Sequence, residues 1–413
     1  MTKKADRDQV RRQNRSVILQ TLRREGPLAR IELGERTHLS PATVTAITSD
    51  LIDEGLLREA ASDDERPASG RGRPRTLLAL DPSAAVLLGV KISLGKIELI
   101  LTDFSGHRVA SETHAVETYT ATRGGVSETL IAAITRFLQR LTVAPSRLAE
   151  ILVASQGVVD TRSGSIVWSP AFKVRDIPLL EPLRHAFGIN CSLANDANMI
   201  AEALHDADPA RYSGTFAVVF IDYGVGMGMF FDNRVYTGET GAAGEFGHTN
   251  HVPGGPLCRC GRRGCLEAFL GDYALVRMAR GLPDAHDPWQ IDFEAEDIAA
   301  LVARADTGDA EARAVFFKAG HALGYGVARL VATIDPGHIA LTGAGMRAFA
   351  HMREGLDAGL EEALVADLRR NVTIDPHPWN EDLIAAGMIA GALARLDRVT
   401  FARRRTPELE AGE

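Results

Sequence analysis

Through the first fifty residues apolar positions recur at helical spacing; beyond them they gather into short runs broken by glycine turns. In "RSVILQTLRR", Val17, Ile18 and Leu22 mark one face of a helix over residues 15–24, which "GPL" then breaks. "ARIELGERT" predicts a second, shorter helix. After a three-residue turn, "HLSPATVTAITSDLIDEGLL" predicts a third, with Ser40 as N-cap and Pro41 at the first helical position, where its missing N–H costs nothing. Val44, Ile47 and Leu51 form its buried stripe, Thr43, Thr45 and Ser49 face outward, and Gly55 stops it. The strands "LLRE" and "RTLLAL" flank a polar loop, "AASDDERPASGRGRP", and so predict a hairpin wing. This is the order of a winged helix-turn-helix, whose last helix presents its N-terminal residues to base edges in the major groove.

Past Asp81 the period changes. "AVLLGVKISLGKIELILTDFSGHRVA" reads as two or three adjacent strands, and "LAEILVASQGVVD", "TFAVVFIDYGVGMGMFFDNRVYTG" and "PGHIALTGAG" as further strands ending in glycine-rich loops. Helices are expected between them, notably over 125–142, 311–333 and 382–396. An early antiparallel meander followed by alternating strands and helices predicts an α/β body with mixed sheets. The expected division is a DNA-binding domain over 1–80, a sensor body over 81–396 and a disordered tail over 397–413 ending in "RRRTPELEAGE".

Charge sharpens this division. The 413-residue chain carries a net charge of −8, yet residues 1–75 hold 15 Lys and Arg against 12 Asp and Glu, so the front is basic and the remainder acidic. Within the wing, Arg71, Arg73 and Arg75 alternate with Gly72 and Pro74, a cationic tip suited to phosphates or a narrow minor groove. The highly charged start "MTKKADRDQVRRQNR" has no apolar segment of the kind a secretory leader needs, and no apolar run is long enough to cross a bilayer. A cytoplasmic protein is expected.

Three of the four cysteines fall within eight residues of "GEFGHTNHVPGGPLCRCGRRGCLEAF". Such clustering predicts reduced, metal-binding thiols rather than a disulfide framework. Cys258, Cys260 and Cys265 supply three thiolates on a tight glycine loop, and one histidine completes a closed Cys3His set of the kind that holds structural zinc. Spacing leaves His248 and His251 equally eligible. Cys191, isolated, is expected to be a small buried residue. A closed metal site leaves no position for activating water, so its task would be to hold the loop carrying Glu245, His248 and Glu267.

The front segment, through "LSPATVTAITSDLIDEGLL", resembles the winged helix-turn-helix of repressors, which implies DNA contacts at Ser40, Pro41, Thr43, Val44 and Thr45, although spacing puts Val44 in the core. Residues 84–396 resemble the ROK family, named for repressors, open reading frames and kinases, in "SQGVVD", "NDANMIAEA", "GAAGEFGHT", "CRCGRRGCLE" and "LTGAG", in the family's order. The resemblance implies a two-lobed ribonuclease-H-like (actin-like ATPase, sugar kinase) body. It favours His248 as the fourth metal ligand and implies sugar contacts at Asn195, Asp196, Glu245, His248 and Glu267, with Asp196 matching the kinases' general base. Gly157 resembles the sugar-side loop. The kinases' D-x-G-G-T phosphate hairpin is replaced by "KISLG", with Lys91 for the aspartate and Leu94 in the approach. The expectation is therefore a sugar-responsive DNA-binding regulator, a repressor, acting on operator DNA as a homodimer or higher homo-oligomer without phosphorylating its sugar. Alternatives are an ATP-using sugar kinase with a DNA-binding head, and a DNA-binding protein whose sensor docks another protein.

Overall fold

The computed structural model describes residues 2–60 and 76–399. The head comprises α1 (Thr2–Glu25), β1 (Leu28–Ala29), α2 (Arg30–Thr37), α3 (Pro41–Asp53), β2 (Leu57–Ala60) and β3 (Leu77–Leu80). The predicted cap of α3 is present: Ser40 accepts from the Thr43 amide at 3.2 Å, Pro41 opens the helix, and Val44, Ile47 and Leu51 are buried. Gly55 follows with φ of 72°. β2 and β3 pair antiparallel as the wing requires, and β3 takes β1 on its other edge, a two-residue strand that the sequence pattern does not announce. The wing tip with Arg71, Arg73 and Arg75 lies outside the described residues.

The first lobe follows: β4 (Val86–Ser93), β5 (Lys96–Asp103), β6 (Arg108–Ala115), α4 (Arg123–Arg140), β7 (Leu148–Ser155), β8 (Val158–Asp160), β9 (Ser165–Trp168), β10 (Ile177–Pro178), α5 (Leu180–Phe187), β11 (Cys191–Asn195) and α6 (Asp196–Ala207). The second holds β12 (Phe216–Ile221), β13 (Val225–Phe231), β14 (Arg234–Val235), α7 (Glu267–Leu270), α8 (Asp272–Ala279), α9 (Ala295–Asp306), α10 (Ala310–Ile334), β15 (His338–Thr342), α11 (Phe349–Ala363), α12 (Ala366–Arg369), β16 (Thr373–Pro376) and α13 (Asp382–Val399).

One strand plan appears twice. The first sheet runs β11-β7-β4-β5-β6 and the second β14-β13-β12-β15-β16. In each, an antiparallel meander is extended by two parallel strands. β12, "FAVVFI", is buried at every position, the mark of a central strand covered on both faces. A small antiparallel sheet, β10-β9-β8, sits apart from both.

α6 and α13 pack on each other between the sheets, α6 on β12 and β13, α13 on β4 and β7. They touch so closely that a Cβ on Gly387 would lie 1.6 Å from the Met199 carbonyl oxygen. α13 in turn meets α1, and the head's apolar core (Ile18, Leu33, Val44, Leu78) continues without a break into Phe104, Met199 and Met388. The same helix corrects the expected tail: Asp397 is helical, fully buried and paired with Arg23 at 2.7 Å, so α13 carries the body to Val399. Among the described residues, no helix is long and apolar enough to cross a membrane.

Candidate functional site

Head residues expected to meet DNA lie on the open N-terminal turn of α3. Ser40, Pro41 and Thr45 are exposed and Thr43 partly so, whereas Val44 is fully buried, as its spacing predicts. Their side-chain bonds are local: Ser40 Oγ lies 2.8 Å from Thr43 Oγ1, and Thr45 donates to the Pro41 carbonyl at 2.8 Å. The far end of the helix is anchored instead. Arg15, 1% exposed, makes a two-point bond to Glu54 (3.1 and 2.5 Å), Arg11 pairs with Asp50, and Arg30 donates to Thr48 at 3.1 Å. The helix is thus held from behind and free in front.

A cleft between the lobes collects all five expected sugar contacts, Asn195, Asp196, Glu245, His248 and Glu267, together with Gly157. It lies where β7, β11 and β12 end, at the carboxyl ends of strands, where open α/β sheets place their ligands. Asn195 is the last residue of β11 and Asp196 the first of α6, so the strand turns directly into the helix. Asn195 caps that helix, accepting from the Ala197 amide at 2.8 Å, and donates through Nδ2 to the Gly157 carbonyl at 2.8 Å. Burial pushes the Asp196 carboxyl up to about 7, and nearby Asp222 and Glu245 add to the rise against the Ala197 amide and Lys91. Burial also raises Glu245, with Glu267 acting in the same direction and His248 opposing it.

Glu267 opens α7 and is 5% exposed. It accepts from the Val225 amide at 3.2 Å and the Tyr273 hydroxyl at 3.4 Å, so it ties the glycine loop after β12 to α7. Glu245 stands at the turn Phe246–His248 behind Gly244, whose φ of 95° and approach to Met227 (a Cβ would lie 2.3 Å from its carbonyl oxygen) admit only glycine. Sequence reasoning missed Trp168, whose ring meets His248 edge-on at 5.2 Å, and Asp222 and Tyr223, although a strand running into "DYGVG" carries a recognisable loop signal.

Beside the cleft, ligand atoms of His248, Cys258, Cys260 and Cys265 all lie within 4.8 Å of one another. Cys260 and Cys265 Sγ are 3.6 Å apart and Cys258 Sγ is 3.7 Å from His248 Nδ1. These spacings match the ~3.8 Å edge of a tetrahedron built on metal–sulfur bonds of about 2.3 Å, so the four residues fit a metal ion. His251, the other eligible histidine, packs its ring against Phe269 and Tyr325 instead. His248 turns its second nitrogen, Nε2, to Glu245 at 3.9 Å and thereby joins the cluster to the cleft. Cys191 is buried on β11, remote from the others in its pairing with Ile151.

The hairpin β4–β5 carries Lys91, buried, with Nζ 3.7 Å from Glu98 and 3.4 Å from the Glu381 carbonyl; Leu94 projects at the tip. The matching hairpin β12–β13 opens on Asp222, whose carboxyl is raised by burial and by Asp272.

Residues 87–394 match the model of the ROK family and residues 11–58 that of winged helix-turn-helix DNA-binding domains. The chain is 27% identical over 336 residues to the DNA-binding transcriptional dual regulator NagC of Escherichia coli (strain K12), covering 81% of each chain. It is 24% identical over 398 residues to the xylose repressor of Bacillus subtilis (strain 168), covering 96% of this chain and 99% of that one. Among solved structures, a ROK family transcriptional regulator described as a homologue of the E. coli MLC protein superposes with a TM-score of 0.75 at 23% identity, over 95% of this chain and 99% of that one. The ROK hexokinase of Thermus thermophilus does so with 0.58 at 27% identity, over 75% and 97%. With this ROK body behind a winged helix-turn-helix head, the chain belongs to the ROK family.

Proposed function

We propose that the protein is a sugar-responsive transcriptional regulator, a repressor acting in the cytoplasm, which reads operator DNA with the front of α3 and the wing and binds a sugar or sugar derivative in the interlobe cleft without phosphorylating it. The observation that carries this reading is the presence in one chain of an α3 front turn with its polar side chains free and a cleft collecting Asn195, Asp196, Glu245, His248 and Glu267. Relatives named as a xylose repressor and an N-acetylglucosamine repressor support it. A polyhydroxylated ligand needs such a dense array of donors and acceptors, since every unmatched hydroxyl costs affinity.

Zinc is the metal we assign to the His248, Cys258, Cys260 and Cys265 cluster. Four protein ligands close its coordination, so it supplies no activated water and acts by fixing the loop. Bound at Nδ1, it would fix the His248 proton on Nε2, ready to donate into the cleft. Phosphoryl transfer is not part of the reading: Lys91, engaged by Glu98 and the Glu381 carbonyl, stands where the kinases' phosphate hairpin has the aspartate that would help organise phosphate-bound magnesium. One DNA-reading head covers few base pairs, so symmetric dimers on an inverted repeat complete the proposal.

A thermal-shift panel of D-xylose, N-acetyl-D-glucosamine, D-glucose and their phosphate esters tests the cleft. A selective shift by one sugar, lost in Glu245→Ala, is expected; no shift by any member contradicts the sensor reading. ATP-coupled turnover of the same sugars should stay at background, and turnover abolished by Asp196→Asn would make the protein a kinase.

A further inference from the structure

Between two of the metal-cluster cysteines lies Arg259, 5% exposed and, among the described residues, without a carboxylate hydrogen-bonded to it, although Asp272 is near enough to feel its charge. Its guanidinium stands over three aromatic rings instead, Tyr223 at 3.8 Å, Tyr273 at 4.4 Å and Trp289 at 5.3 Å. One nitrogen donates to the Tyr223 carbonyl at 3.1 Å, while Nε is buried with no partner. Tyr223 lines the sugar cleft, and Tyr273 is the residue whose hydroxyl holds Glu267. Trp289 reaches outward to Tyr119 of the first lobe, ring centroids 5.6 Å apart, and Tyr119 carries the Lys173 ammonium on its face at 4.7 Å. A continuous stack thus runs from the metal loop, past the cleft wall, across to the opposite lobe.

We propose that Arg259 is a positioning residue that makes the cleft wall and the interlobe contact depend on the metal loop. A buried cation held by ring faces is sensitive to displacement, because cation–π attraction and the bond to a fixed carbonyl both need the guanidinium within a narrow range. The flanking Cys258 and Cys260 would set that range, since a metal held by the cluster would fix their sulfurs. With the metal in place, Arg259 holds Tyr223 against the sugar and Trp289 toward Tyr119. Without it, the loop relaxes and both contacts loosen together. This rests on the sugar-sensor reading for its purpose, but the link from metal to Trp289 stands independently of any sugar.

The emission arm uses full-length protein in a Trp168→Phe, Trp379→Phe background, which leaves Trp289 as the reporting indole, with retention of metal by that background measured first; the sugar arm keeps Trp168, which lines the cleft. Chelating the metal is expected to shift Trp289 emission when Arg259 is present and to leave it unchanged in Arg259→Met. An emission indifferent to chelation with Arg259 present overturns the proposal. Calorimetric titration with the sugar found in the panel adds the second arm: Arg259→Met should keep its metal and lose at least tenfold in sugar affinity, while Arg259→Lys, which retains the charge but not the reach to the Tyr223 carbonyl, recovers part of it. Unchanged sugar affinity in Arg259→Met, or loss of its metal, also overturns it, the latter because Arg259 would then serve the loop alone. If Arg259→Met is not recovered folded, Arg259→Lys decides, with a threefold or greater loss expected and none contradicting. Failure of wild-type protein to bind any sugar while chelation still moves Trp289 would remove the sensor reading and leave the metal link intact.

Discussion

The front of α3 and the interlobe cleft keep their polar side chains in opposite conditions. On α3, Ser40 and Thr45 are exposed and bonded only within their own turn. In the cleft, Asn195 and Glu267 spend their hydrogen bonds on the fold, one capping α6 and bracing Gly157, the other pinning the Val225 amide. Recognition and stability are therefore separable in the head and entangled in the cleft. In the proposed regulator, operator preference could therefore change by surface substitution, whereas the proposed sugar pocket is tied to hydrogen bonds that hold the fold.

Removing the metal should be the most damaging change on the cleft side. Cys260→Ser is expected to abolish near-stoichiometric zinc in elemental analysis and to lower the melting temperature by roughly 5 °C, the scale of losing about 3 kcal/mol in a body of this size. Protein as stable as wild type and devoid of metal would show that the cluster does not brace the cleft. In the head, the comparison breaks only at the anchor behind α3. Glu54→Gln removes the carboxylate end of the buried two-point pair with Arg15, which should cost about 1.5–3 kcal/mol, read by urea denaturation.

Asp196 yields a pH signature. Its folded pKa of about 7 lies above the unfolded 3.8, so its contribution to stability is fully present below about pH 4 and is lost as pH rises through 7. Wild type should therefore lose stability relative to Asp196→Asn between pH 5 and 8, by the order of a few kcal/mol. A constant difference would place Asp196 in a solvated setting. The smallest structural effect is expected from Thr45→Ala: stability within about 0.5 kcal/mol of wild type, but DNA affinity reduced by about 1–3 kcal/mol if the side chain meets a base edge. Loss of stability without loss of DNA binding would reverse the contrast drawn above.

What could be read from sequence was whatever is local in the chain. The α3 cap needs only Ser40, Pro41 and the stripe behind them, and the metal cluster gathers three ligands within eight residues. Distant partners were not legible. β1 is two residues long and exists because β3 offers it an edge. Asp397 read as tail because it is charged, and is helical core because Arg23, far away in the sequence, neutralises it. Arg259 gave no signal of its own, since Tyr223, Tyr273 and Trp289 reach it from three separate segments. That Asn195 ends a strand and Asp196 opens a helix was equally hidden, because no pattern signals a strand that turns directly into a helix.

The central claim is that sugar in the cleft alters the grip of α3 on DNA, through α6, which begins at Asp196, and α13, which reaches α1 through Asp397. Fluorescence anisotropy on a DNA site selected by the protein from a random pool, with and without the sugar found by thermal shift, measures it directly. Coupling of about 1–3 kcal/mol would change affinity roughly five- to 150-fold in wild type, with no change in Glu245→Ala and intact DNA binding in both. Equal affinity with and without saturating sugar in wild type would contradict the account.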